Sequence, residues 1–217
     1  MIIHLNLQDK VVIVIGGGNE ALKRINSLLK EKCQIIVISS AINNQIKNLV
    51  KNKKIKFKKQ KIQDTSFLST YKPHMVITTT DDKKLNQRII NEAKNEKIIA
   101  YSSDNPELSD FSNPAIIDFE SMIQIAIFTG GKSPAMSKKL RGESEKIFKK
   151  LITKEEIAQI KIQNIAREIA KNKIATQNER KNYLNCIMSD KVIKQLIKEG
   201  QLKKAENQAK SILRNWK

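Results

Sequence analysis

The sequence predicts an α/β protein: a doubly wound parallel sheet, followed by a small antiparallel element and a helical C-terminal region. Three observations carry this. Through the first hundred residues, short apolar runs alternate with helical patterns. A glycine triplet, Gly16-Gly17-Gly18, stands between the first run and the first helix. After Gly130-Gly131 the pattern is helical to the end of the chain.

The elements follow in order. Val11 to Ile15 is a continuous β-branched run, which is how a strand covered on both faces reads. Asn19 to Lys32 is a helix with Leu22, Ile25, Leu28 and Leu29 on one stripe. Ile35 to Ile38 is a second strand, Ile42 to Lys51 a helix and Ile55 to Lys58 a third strand. Met75 to Ile77, running into Thr78-Thr79-Thr80, is a fourth strand. A helix over Asp82 to Asn95 and a fifth strand over Ile98 to Tyr101 complete the sheet. Ser102 to Pro114 is a polar loop. Ala115 to Asp118 and Ile123 to Thr129 read as paired strands. Five helices follow, over Pro134 to Lys150, Lys154 to Lys171, Gln177 to Met188, Lys191 to Lys198 and Leu202 to Trp216. In the second of these, Ile157, Ile160, Ile165 and Ile169 form the apolar stripe.

Composition excludes several classes. With 217 residues, 40% hydrophobic and 29% charged, the chain has a globular balance and enough length to bury a core. No apolar run approaches the roughly 20 residues that cross a bilayer, and the N-terminus gives no expectation of a signal peptide. Cys33 and Cys186 are far apart and lack ligand spacing, so neither a disulfide framework nor a zinc site is expected. The expected location is the cytoplasm. Forty-one basic against 22 acidic residues give a net charge of +19. That suits either a polyanionic partner or a Lys-rich composition with no selected ligand.

Gly16-Gly17-Gly18-Asn19-Glu20-Ala21 satisfies G-x-G-x-x-A directly after a strand and at the opening of a helix. In that context Gly16 permits the tight turn, Gly18 lets a pyrophosphate approach the backbone, and Ala21 allows close helix-to-strand packing. Asn19 and Glu20 open the helix, whose free N–H groups suit phosphate. The fold is thus Rossmann-like and the expected cofactor a dinucleotide. The acid that grips the ribose, about 20 residues further on, is replaced by Ser39-Ser40-Ala41. Ser40 and Ala41 therefore border the expected ribose site, and NAD is not separated from NADP on this ground. Thr78-Thr79-Thr80 ends the fourth strand at the same edge; its hydroxyls either line the nicotinamide half, Thr80 foremost, or cap the next helix together with Asp81. Asp104 follows the fifth strand and reads either as a general base beside the nicotinamide or as an Asx turn before Pro106. His4 and His74 read as structural or exposed, and no metal site is expected.

Several segments together resemble the precorrin-2 dehydrogenase and sirohydrochlorin ferrochelatase family, the N-terminal region of siroheme synthases. They are the glycine triplet with the basic pair Lys23-Arg24; Thr79-Thr80-Asp81-Asp82 with Asn86; and Asp104 and Pro106. Pro114, Ile116-Ile117-Asp118, Gly130-Gly131-Lys132-Ser133-Pro134 through Leu140-Arg141, and Glu179-Arg180-Lys181-Asn182-Tyr183 continue the likeness over essentially the whole chain. Glu20 departs from the pattern, since an aliphatic residue is usual there. The resemblance implies NAD-dependent oxidation of precorrin-2 to sirohydrochlorin, Asp104 as catalytic acid/base, and Fe²⁺ as a second substrate in some relatives. The apolar stripes of the long helical tail after Gly131 are expected to bury against a second copy, giving a homodimer. The resemblance also implies a division into residues 1–113 (NAD-binding domain), 114–150 (dimerisation region) and 151–217 (helical C-terminal domain). Precorrin-2 carries several carboxylates, for which Lys132, Lys138, Lys139 and Arg141 are candidates. The alternative reading is a non-catalytic dinucleotide sensor that regulates a partner or nucleic acid, which needs only the glycine turn and the positive charge; the dehydrogenase reading expects no nucleic-acid partner.

Overall fold

A computed structural model describes residues 2–216. It divides into two compact units, residues 1–113 and 114–217, described separately below. In the first unit β1 (Val11–Ile15), β2 (Gln34–Ser39), β3 (Lys56–Lys59), β4 (Met75–Thr78) and β5 (Ile99–Ser102) form one parallel sheet. Its order is β3-β2-β1-β4-β5. The order reverses between β1 and β4, and such a switch opens a crevice at the carboxyl ends of the strands.

Strand periodicity explains why the central runs are wholly apolar. Val12 and Val14 of β1 join one hydrophobic cluster while Ile13 and Ile15 join the other. The first cluster is closed by α1 (Asn19–Leu28) and α2 (Asn44–Lys51) through Ala21, Ile25 and Ile46. The second is closed by α3 (Ser66–Tyr71) and α4 (Lys83–Asn95) through Phe67, Leu68, Ile89, Ile90 and Ala93.

The structure departs from the sequence pattern at identifiable points. The expected helix to Lys32 is α-helical only to Leu28; a 3₁₀ turn over Leu29–Glu31 follows, and Lys32 stops it in the left-handed region at φ 54°. The helix expected from Ile42 begins at Asn44, because the Asn43 side chain accepts the Ile46 N–H and fixes the start. The third strand sits one residue later than expected, and α3 gives no sequence signal.

The second unit opens with an antiparallel hairpin, β6 (Ala115–Phe119) and β7 (Ile123–Ile127), in which Ile117 faces Ile125. Glu120 and Ser121 both take positive φ in its two-sided turn, and Asp118 accepts the Ser121 N–H. Five helices follow: α5 (Pro134–Leu151), α6 (Lys154–Lys171), α7 (Gln177–Ser189), α8 (Lys191–Lys198) and α9 (Leu202–Arg214). Side-chain caps at Ser133, Thr153, Thr176 and Asp190 start α5 to α8. In α6 the buried residues are Ile157, Ala158, Ile162, Ala166 and Ala170; of the expected stripe Ile157 is buried and Ile169 packs against the helical core, whereas Ile160 and Ile165 are only half-buried. The face of α6 that meets the helical core is therefore mostly alanine, and the expected isoleucine stripe holds only at Ile157 and Ile169.

Tyr183 is the largest fully buried side chain. Its hydroxyl donates to the Ala209 carbonyl at 2.9 Å, and its ring meets Trp216 edge-on. Burial, with the Cys186 thiol beside it, pushes its phenol up to about 12. Tyr183→Phe is expected to lower the stability of the helical unit by about 1 kcal/mol by removing that buried hydrogen bond. A denaturant midpoint followed by circular dichroism checks this.

Candidate functional site

The glycine turn is shaped by the strands on either side of it. Gly16 takes φ +113°, and its N–H donates to the Ile38 carbonyl at 3.0 Å. A Cβ on Gly16 would lie 2.4 Å from Thr79 Oγ1, and one on Gly17 would lie 2.0 Å from the Ala41 carbonyl oxygen. Both positions are thus fixed by close approach of the β4 and β2 ends. The role of Gly17 is invisible in the motif, where it is the unspecified position. Gly18 differs: a Cβ there would meet nothing within 4 Å. It is the N-cap of α1 and has no side chain to cap the helix, so no cap side chain occupies its first-turn N–H groups. The hydrogen-bond polarity and dipole of a helix start suit a phosphate, and the free space beside Gly18 leaves room for one.

Neighbouring side chains brace the turn. Thr79 donates both N–H and Oγ1 to the Ile15 carbonyl, at 2.9 and 2.8 Å. Asn43 donates its N–H to the Gly17 carbonyl at 2.9 Å and its amide to Asn19 Oδ1 at 3.3 Å. Ser39 donates to the Ala41 carbonyl at 2.7 Å, which leaves Ser40, exposed beside it, as the hydroxyl at the β2 edge. Glu20 bends along α1 to Lys23 and Arg24. Burial alone would raise its carboxyl, but hydrogen bonds from those two cations outweigh that and hold it below the usual range. Arg24 in turn lies over the Tyr101 ring at 4.9 Å. An acid at the mouth of an anion site is tolerated here because its charge is already paired.

Asp104 sits at the same sheet edge, two residues past β5. Its Oδ1 accepts Ser102 Oγ at 2.7 Å and Asn86 Nδ2 at 2.8 Å. Ser102 and Asn86 are both buried. Asn86 is oriented by Thr80, whose hydroxyl donates to Asn86 Oδ1 at 2.6 Å and whose carbonyl accepts the amide at 2.8 Å. Behind Ser102, buried Thr78 donates to its hydroxyl at 3.2 Å. One carboxylate oxygen of Asp104 is thereby fixed by two donors, while the other has no partner among the described residues. The turn role open to Asp104 in the sequence belongs to Asn105, whose side chain accepts the Glu107 N–H and starts the 3₁₀ turn over Pro106–Leu108. The helix cap, assigned to Asp81 by pattern, belongs to Asp82, which accepts the Leu85 N–H at 3.0 Å.

Neither histidine belongs to this network. His74 is exposed, and His4 lies 3.8 Å from Glu31. No group of three His, Cys, Asp or Glu among the described residues could hold a metal ion. In the second unit Lys139 and Arg141 pair along α5 with Glu143 and Glu145, while Lys132 and Lys138 are exposed. No helix among the described residues is long and apolar enough to cross a membrane.

Known proteins match this arrangement. The model of an NAD(P)-binding family matches residues 3–115, more than half of the chain. A siroheme synthase of Actinobacillus pleuropneumoniae serotype 7 is 27% identical over 213 residues, 98% of this chain and 42% of that protein. The precorrin-2 dehydrogenase of Bacillus subtilis is 27% identical over 146 residues, 67% of this chain and 87% of that protein. The chain thus spans under half the length of the siroheme synthases it matches. Among solved structures, SirC, a precorrin-2 dehydrogenase, superposes with a TM-score of 0.69 at 18% identity, covering 94% of this chain and 99% of that one, and shares the fold. With the glycine turn, the sheet order and the matched segment in agreement, this chain belongs to the NAD(P)-binding family.

Proposed function

We propose that the chain is an NAD-dependent precorrin-2 dehydrogenase, converting precorrin-2 and NAD⁺ to sirohydrochlorin, NADH and a proton. The observation that carries this is Asp104: a carboxylate held by two buried donors, with its second oxygen open, at the sheet edge that bears the dinucleotide turn. The relatives named for this reaction support the same reading. When bound, the nicotinamide supplies the hydride acceptor. The Gly16–Glu20 turn holds the pyrophosphate, Ser40 and Ala41 border the ribose, and Thr80 keeps Asn86 aimed at Asp104. Asp104 then takes the proton that the macrocycle loses with the hydride. Incubating the purified chain with precorrin-2 and NAD⁺ tests this: NADH absorbance is expected to rise with sirohydrochlorin, and its failure to do so removes the assignment. Adding Fe²⁺ to the same mixture reads out whether the open Asp104 oxygen also receives pyrrole protons during iron insertion.

We further propose a homodimer formed through α5 and the hairpin. No residue of α5 is buried. Ile147 and Leu151 are 67% and 65% exposed, and Met136 of α5, with Met122 and Phe128 in or beside the hairpin, is exposed too. Such an apolar face on a soluble chain calls for a cover, and a second copy supplies one of matching composition. Sedimentation at micromolar concentration is expected to give a dimer that Ile147→Glu with Leu151→Glu dissociates; a monomeric parent chain would sink the idea.

A further inference from the structure

The segment Glu179-Arg180-Lys181-Asn182-Tyr183 has no part in the chemistry above, yet its geometry is tightly set. Tyr183 points into the core and donates to the Ala209 carbonyl, which fixes the rotation of α7 about its axis. Gln163 of α6 donates to the Leu184 carbonyl at 3.0 Å, which fixes the distance between the two helices. Between them lies a groove of about 770 Å³ lined by Arg167, Lys171, Arg180 and Lys181, with Asn178 and Leu184 among the other lining residues. No carboxylate lines it. Lys171 is paired with Glu168 at 2.7 Å, but Arg167, Arg180 and Lys181 have no ion-pair partner among the described residues. Cations without an ion-pair partner among the described residues, such as Lys203 and Lys204, also occur elsewhere in the same unit; what sets Arg167, Arg180 and Lys181 apart is that they line one groove together.

We propose that this groove binds a polycarboxylate anion. Uncompensated cations held side by side repel one another, and an anion with several carboxylates removes that repulsion while accepting the guanidinium donors in pairs. The volume is that of a small-molecule site, which spans roughly 300–1,000 Å³. A nucleic acid fits less well, because no aromatic side chain lines the groove to stack a base. The tetrapyrrole assigned above belongs to the polycarboxylate class. That choice of ligand rests on the dehydrogenase reading; the groove and its charge do not.

Uroporphyrin, a fluorescent octacarboxylate porphyrin, serves as probe for the full-length chain. Arg167→Ala with Arg180→Ala is expected to weaken its binding about tenfold, from two ion pairs of up to roughly 1 kcal/mol each. Lys203→Ala with Lys204→Ala removes the same charge from exposed positions of α9 and is expected to leave affinity close to that of the parent. Matching circular dichroism melts establish that both variants fold. Equal weakening by the two pairs, or none from the groove pair, would overturn the site. Preferential binding of a short oligonucleotide at physiological salt, lost in the groove pair, would overturn the ligand class. Turnover of precorrin-2 by the parent chain is scored separately. A groove that fails while NADH still forms leaves the dehydrogenase standing, and selective porphyrin binding without NADH does the reverse.

Discussion

Asp104→Asn is expected to slow precorrin-2 oxidation by about 10²- to 10⁴-fold, the usual contribution of a positioned acid–base group, with NAD⁺ affinity close to that of the parent chain. The asparagine keeps an Oδ1 able to accept Ser102 Oγ and Asn86 Nδ2, so the network behind it survives. What changes is the second oxygen, which becomes an amide nitrogen that cannot take a proton. Asp104→Ala should be about equally slow, because it too lacks the acceptor. The check is a steady-state NADH assay alongside NAD⁺ titration of each variant. Full activity in the asparagine variant would leave Asp104 as a structural end to β5 and the chemistry with no named actor.

The second large effect is at the glycine turn, where adjacent residues should fail in different ways. Gly18→Asp is expected to abolish dinucleotide binding and leave the melting temperature near that of the parent. There is room for the side chain, since nothing lies within 4 Å of its Cβ position. Its carboxylate, however, stands where the pyrophosphate must come. Like charges about 4 Å apart cost roughly 1 kcal/mol in water and about 4 kcal/mol near a protein surface, or up to about a thousandfold in affinity, before the lost volume is counted. Gly17→Ala should instead destabilise the fold by about 1–3 kcal/mol, as overpacking does, because its Cβ meets the backbone of Ala41 and Ile42. Calorimetric NAD⁺ titration with thermal melts separates the two outcomes; retained NAD⁺ affinity in Gly18→Asp would remove the cofactor site from this turn.

How legible these features were depends on the range of the interaction that makes them. The β1 run, the glycine turn and the α1 start are local, and the sequence displays them within a dozen residues. α3 escaped because Ser66 to Tyr71 spans under two turns, too few for a period to register, although Phe67 and Leu68 are buried. The α6 stripe was only partly legible, because close helix packing there uses Ala158, Ala166 and Ala170, which carry little hydrophobic signal, beside Ile157 and Ile162. Around the candidate site, Asp104 stood out by position, but its partners did not. Asn86 lies 18 residues before it and Thr78 lies 24 before Ser102, so their meeting is a product of the β4–β5 pairing and the α4 crossover. A buried Asn or Ser in isolation looks like any surface polar residue. Likewise Gly17 reads as a free position until the β2 end is folded onto it.

The lacing of the glycine turn also bears on how quickly and how tightly a dinucleotide is captured. Gly16 is tied to Ile38, Gly17 to Asn43, and Ile15 to Thr79, all by main-chain hydrogen bonds of 2.9–3.0 Å. Fixing one residue of a loose loop costs about 1–2 kcal/mol of conformational entropy, and here that ordering is complete when the sheet forms. Ligand capture at this edge is therefore a docking onto a rigid cradle: the entropy of the loop is lost in folding, and the free energy of the phosphate contacts appears in affinity almost undiminished.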